Sequence, residues 1–182
     1  VRAAIKAREF NSLINCNTAV GNMSSAALSL CGPGCLTAFY NPAGQFLDPN
    51  DVLQFVLHEG NGNQIVNEIA RNTQAKFCFD PATMNYGDTY YVSAVAGNND
   101  GTGNVNLSDF CTVVSFGTPI SFKAKPEVSI APPDTLSCAL KQVPLTGSVN
   151  LIGTSFQWST SGGGSIVGNP AQAVINVNAA GP

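Results

Sequence analysis

YGDTYYVSAVAGNNDGTGNVNLSDFC, Tyr86 to Cys111, is the stretch on which the reading of this chain turns. Within it Thr89 to Ala96 alternates. Tyr90, Val92, Ala94 and Ala96 fall on one face of an extended chain, and Tyr91, Ser93 and Val95 on the other. Aromatic and β-branched residues are dense there, as a pleated surface favours. Beyond Ala96, Asn, Asp, Gly, Ser and Thr take over around Val105, which is the composition of a loop. Cys111 then opens a second apolar run, Thr112 to Phe116. Strand, long polar loop and returning strand together predict the edge of a β-sandwich carrying a decorated loop.

The same alphabet extends in both directions. Only 10% of the 182 residues are charged, while 18 glycines and 11 prolines punctuate the chain, so short strands joined by turns are favoured over helices. Leu47 to Asp51 reads as a turn and Val52 to His58 as a strand. Its core face is Leu53, Phe55 and Leu57, which leaves Val52, Gln54, Val56 and a half-exposed His58 on the other. Glu59 to Asn63 is a hairpin signal, followed by short strands at Ile65–Ala70 and Lys76–Asp80. A weak strand at Ala26–Leu30 precedes these, and a strand pair, Thr112–Phe116 and Pro119–Phe122, follows the loop. Lys123 to Pro126 reads as a linker. Past it the pattern restarts at Glu127–Ile130, Val143–Val149, Ser155–Ser159, Ser165–Val167 and Ala173–Val177, with Trp158 placed as a buried anchor.

The expected organisation is therefore a lead-in over residues 1–15, a sandwich over 16–125 and a second over 126–182. About five strand patterns in that last segment fall short of the seven strands and roughly 100 residues of an immunoglobulin-like sandwich. The expectation is an incomplete module, either a fragment of a longer protein or one completed by a partner chain.

Charge and cysteine use narrow the setting. A net charge of −3, with Arg2, Lys6 and Arg8 gathered at the start, leaves no basic footprint for nucleic acid. No apolar run approaches the roughly 20 residues of a membrane-spanning helix, and residues 1–15 lack a signal-peptide pattern. Cys16, Cys31, Cys35, Cys78, Cys111 and Cys138 in so Gly- and Asn-rich a chain favour disulfides in an extracellular or cell-surface setting, with fifteen pairings open. Cys31-Gly-Pro-Gly-Cys35 has ligand-like spacing, but no second Cys or His pair completes a zinc site.

Candidate chemistry is sparse. Asn98, Asp100, Thr102, Asn106 and Asp109 stand at the oxygen-ligand positions of an EF-hand-like loop, with Gly103 at its turn, so calcium is the cofactor this spacing suggests. Asn at the first position and Asp at the last leave only two carboxylates. The competing reading is a solvated loop between strands. His58, the sole histidine, has no evident nucleophile or acid beside it, and Asp48, Asp51, Glu59 and Asp88 show no spacing that singles out a catalytic pair. Gly162 to Gly164 joins two strands and is a turn, not a phosphate cradle. The expectation is a non-enzyme. Phe39, Tyr40, Tyr86 and Tyr91 are candidates for stacking on sugar rings, against the alternative that they pack in the core and rim.

LDPNDVLQFVLH (Leu47–His58), followed by Tyr86 to Asp109, resembles a module of large secreted Bacteroidota surface proteins: multidomain, adhesin-like chains often exported by the type IX route and linked to gliding or attachment. Leu136-Ser-Cys138, Val143 to Ser148, Phe156-Gln-Trp-Ser159 and Gly164 to Val167 resemble the immunoglobulin-like repeats that accompany it. In such repeats a further pair of strands and a second cysteine follow, which the resemblance implies for Cys138. Gly87-x-x-Tyr90-x-Val92 is similar to fibronectin type III domains, with Tyr90 in the tyrosine-corner place. Asp134-Thr135-Leu136 is similar to the Bacteroidota O-glycosylation motif, with Thr135 as acceptor. In that setting the sequons at Asn22 and Asn106 carry little weight.

The resemblance implies two consecutive sandwich modules, fibronectin-like then immunoglobulin-like. They would act as an adhesive stalk or spacer whose partners are neighbouring domains, surface glycans or other proteins. The alternatives are a carbohydrate-binding accessory module of a secreted enzyme and a filament subunit completed by a donor strand.

Overall fold

The computed structural model describes residues 16–178; the expected lead-in lies outside them. The fold is all-β, and no helix occurs among the described residues. The chain divides into two compact units, Val1–Lys123 and Ala124–Pro182, a boundary two residues before the expected one.

The first unit holds strands β1 (Asn22–Met23), β2 (Leu28–Cys31), β3 (Cys35–Thr37), β4 (Tyr40–Asn41), β5 (Asp51–His58), β6 (Glu68–Asn72), β7 (Lys76–Cys78), β8 (Thr89–Asn98), β9 (Val113–Val114) and β10 (Thr118–Lys123). Its main sheet runs β2-β10-β8-β5-β6 with β9 also on β8, and two small ladders, β1–β4 and β3–β7, stand apart from it. Among the described residues only β2 and β10 pair in parallel. The alternation read along Thr89–Ala96 and Val52–His58 is realised as one long antiparallel ladder, from Asp51 opposite Asn98 to His58 opposite Tyr91.

On one side of that ladder lies the main core. Phe55, Leu57, Tyr90, Val92, Ile120 and Phe122 pack with Phe77 and Met84, and Leu36 and Leu53 close its margin. Tyr90 is 2% exposed, and its hydroxyl accepts the Asn85 N–H at 2.7 Å, so the phenol is buried with its polar end satisfied.

Two expectations are corrected here. The organising strand, β8, lies in the sheet interior between β5 and β10 and is not an edge. The face of β5 read as outward is also covered: Val56 and Val95 form a second buried cluster with Val105, flanked by Ile65, Leu107 and Val114. Val105 and Leu107 of the polar loop fold back onto the sheet, which removes their surface from water. A period-2 pattern marks one buried face; covering by a loop leaves no period to read.

The returning run also differs from expectation. Thr112–Phe116 and Pro119–Phe122 do not pair with each other; as β9 and β10 they follow the same edge of β8, at Val95–Ala96 and Thr89–Val92. Between them Ser115 donates its N–H to the Ala94 carbonyl and accepts the Ala94 N–H on its hydroxyl, both at 2.9 Å. Gly117 then passes so close to β8 that a Cβ would stand 2.8 Å from Ser93 Oγ and 2.9 Å from Tyr91 Cβ. Only glycine fits this approach, and Phe116 beside it is left 72% exposed.

The second unit is a four-stranded antiparallel sheet in the order β11-β12-β14-β13, with β11 Val128–Ile130, β12 Gln142–Val149, β13 Ser165–Val167 and β14 Val174–Asn178. Register puts Val143 opposite Val177, Leu145 opposite Ile175 and Ile166 opposite Val177 on one apolar face. The strand expected at Ser155–Ser159 joins no ladder, and Trp158 is half-buried, not sealed in. Phe156 and Trp158 lie parallel (9°, centroids 6.4 Å apart) against Gly147, where a Cβ would come within 2.8 and 2.9 Å of their rings. The indole N–H donates to the Gln172 carbonyl at 2.8 Å.

Candidate functional site

The loop after β8 is fastened at its tip by a residue of β5. Gln54, 6% exposed, donates from Nε2 to Asn104 Oδ1 at 2.7 Å and accepts the Val105 N–H on Oε1 at 2.9 Å. Arg71 of β6 donates from Nη1 to the Val105 carbonyl at 2.8 Å, while its other nitrogens clasp Glu68 at 2.8 and 2.7 Å. Val105 is thus held at both backbone atoms and its side chain is 1% exposed. Gln54 and Arg71 were not legible as loop anchors, because nothing in local spacing marks a residue whose partner lies tens of positions away.

Of the five residues at calcium-ligand spacing, Asn98, Asn106 and Asp109 are hydrogen-bonded to one another, and Asp100 and Thr102 form a second group. Asp100 Oδ1 accepts the Thr102 N–H at 2.8 Å, the Thr102 hydroxyl at 2.7 Å and the Asn104 N–H at 3.3 Å. These bonds, the Thr102 hydroxyl first, hold the Asp100 carboxyl below its ordinary pKa. Asn98 donates its amide to Asp109 Oδ2 at 3.2 Å, and Asp109 Oδ1 accepts the Cys111 N–H at 2.8 Å. Asn106 Oδ1 accepts the Ser108 N–H at 3.1 Å. Among the described residues no group of three or more His, Cys, Asp or Glu side chains stands close enough to share a metal ion. The loop is shaped by protein hydrogen bonds, with strands on both sides where an EF-hand has helices.

His58 is corrected from half-exposed to fully buried. Its Nε2 lies 2.9 Å from Ser93 Oγ, both residues have no exposed surface, and Nδ1 has no hydrogen-bond partner among the described residues. Burial lowers its pKa from 6.5 to about 4, so the ring is neutral at pH 7. A histidine beside a serine is half of a nucleophilic set. Both side chains are buried within the first unit.

Of the six cysteines expected in disulfides, four are paired. Cys16 joins Cys111 across 95 residues and Cys35 joins Cys78 across 43, the second within the β3–β7 ladder. Cys31 and Cys138 are corrected to free, exposed thiols. Thr135 is exposed, in a segment outside any strand.

The four candidate sugar-stacking aromatics divide. Tyr40 packs edge-on against Phe55 at 5.2 Å, donates to Gln45 Oε1 at 2.7 Å and accepts the Gly21 N–H at 3.2 Å, so it is structural. Tyr91 is half-buried, its ring 6.2 Å from that of His58. Phe39 is 70% exposed and Tyr86 40%, the latter stacked on Phe79. Compared with known proteins, the chain matches no family model and no curated protein.

Proposed function

We propose that the chain is a non-catalytic structural and adhesive segment of a secreted surface protein, a stalk or spacer whose exposed loops contact glycans or other proteins. The observation that carries this reading is the Cys16–Cys111 bridge. It ties the chain ahead of β1 to the base of the polar loop, and with Cys35–Cys78 it closes two long loops of the first unit. Closing long loops removes entropy from the unfolded chain and favours a stiff, protease-resistant body, and such bridges belong to oxidising compartments.

The Tyr90 hydroxyl on the Asn85 N–H supports a fibronectin-like first module, since it has the form of a tyrosine corner. The order β11-β12-β14-β13 supports an immunoglobulin-like second module, because it matches the A-B-E-D sheet of that sandwich. The test is limited proteolysis of the first unit with and without reductant. Oxidised protein is expected to survive at least about tenfold longer; equal rates sink the stiff-scaffold reading.

A second reading, a filament subunit, draws on the second unit. Val143 and Ile175 are its only buried apolar side chains among the described residues, and Val128 and Ile130 on strand β11 remain 67% and 54% exposed at an open sheet edge. An added strand would pair with that edge. Electron microscopy of the chain at high concentration tests this, and a field of isolated particles counts against it.

A further inference from the structure

The ring of Tyr86 lies flat on that of Phe79, with centroids 4.1 Å apart and planes 16° from parallel. Phe79 in turn tilts against Phe122 at 5.4 Å, and Phe122 has no exposed surface. Tyr86 is thereby coupled to the core through an intermediate ring. With one face covered by Phe79, its 40% exposure lies on the side away from it.

The turn that carries Tyr86 is held at many points. Asp80 accepts the Ala82 N–H on its carboxylate at 2.9 Å and the Met84 N–H on its carbonyl at 2.8 Å, and Met84 plugs into the core at 3% exposure. Asn85 is fixed to the Tyr90 hydroxyl, and Gly87, at φ 94°, donates to the Phe122 carbonyl at 2.7 Å. Singly scattered surface aromatics need no explanation. Here a flat ring is stacked, braced and presented outward from a rigid turn, and ligand binding to it requires little ordering.

We propose that Tyr86 is the stacking platform of a carbohydrate site that takes a neutral pyranose ring on its outer face, with Asn85 and Asp88 hydrogen-bonding the sugar hydroxyls. The π face of a tyrosine is electron-rich, and the axial C–H groups of a pyranose present the complementary partial charge. Asn85 Nδ2 and Asp88 Oδ2 lie 3.2 Å apart on exposed residues of the same turn. They offer a donor and an acceptor side by side, as neighbouring hydroxyls require. The carboxylates of Asp80 and Asp88 disfavour acidic sugars. This site rests on reading the exposed loops as contact surfaces, and names what one of them contacts.

The test uses the full chain, titrated calorimetrically with neutral hexasaccharides of glucose, mannose, xylose and N-acetylglucosamine, and with hexagalacturonate as the acidic comparison. Saturable binding to at least one neutral oligosaccharide is expected. Tyr86→Ala and Tyr86→Leu weaken it at least about tenfold, while Tyr86→Phe stays within about threefold. Tyr86→Leu keeps an apolar cover on Phe79 without a π face, so its loss of binding is not a loss of fold. Phe116→Ala removes a more exposed ring and leaves affinity unchanged. No binding at millimolar sugar, equal loss in Tyr86→Ala and Phe116→Ala, or preference for hexagalacturonate each overturns the proposal. None of these outcomes touches the scaffold reading, which proteolysis judges separately.

Discussion

Gln54 and Asn104 lie 50 positions apart and meet side chain to side chain at 2.7 Å, with the other end of the Gln54 amide on the Val105 N–H at 2.9 Å. One buried amide thereby helps to hold a polar loop down on the sheet, together with Arg71 on the Val105 carbonyl. Gln54→Leu keeps the volume and removes both bonds, leaving the buried Val105 N–H without its acceptor. The expected cost is about 2 kcal/mol by chemical denaturation, with faster amide exchange at Val105 than in the parent. Unchanged exchange there would mean that Val105 packing and the Arg71 bond hold the loop without Gln54.

On the same strand as Gln54, His58 is buried neutral beside Ser93. Its folded pKa of about 4 lies below the unfolded 6.5, so in the window between them the unfolded chain binds the proton and the folded one does not. Stability is therefore full above pH 6.5 and lost as pH falls toward 4, by roughly 3 kcal/mol from this residue. His58→Gln is expected to flatten the stability profile across that window relative to the parent. Parallel profiles would show that His58 titrates normally.

Tyr90→Phe deletes only the hydroxyl that accepts the Asn85 N–H. The expected loss is about 1 kcal/mol, or a fall in Tm of about 4 °C, with the ring still packed among Phe55, Val92 and Phe122. The turn carrying Tyr86 depends on the same bond, so its amides should exchange faster in the variant. A variant as stable as the parent would reduce Tyr90 to an ordinary core aromatic.

Thiol chemistry checks the cysteine assignment directly. Native protein is expected to react with a thiol reagent at Cys31 and Cys138 only, and all six cysteines should react after reduction in denaturant. Peptide mapping that finds label on Cys16, Cys35, Cys78 or Cys111 in native protein contradicts the pairing. Reduction of the two bridges is expected to cost roughly 2–5 kcal/mol each, judged by a shifted denaturation midpoint.

What the sequence by itself determined was the local grammar. Alternation along Thr89–Ala96 and Val52–His58 dictated extended chain, named Leu53, Phe55 and Leu57 as core and put Tyr90 and Val92 on one face, because a pleated strand repeats every two residues whatever it later packs against. Low charge with many glycines and prolines dictated an all-β fold. Tertiary structure alone decided the rest. It set β8 in the sheet interior, paired Cys16 with Cys111 and Cys35 with Cys78, and left Cys31 and Cys138 free. It also laid Val105 and Leu107 of the loop over Val56 and Val95. Each of these outcomes depends on which distant segments come together, and a contact between residues 43 or 95 positions apart leaves no period or spacing in the chain that makes it.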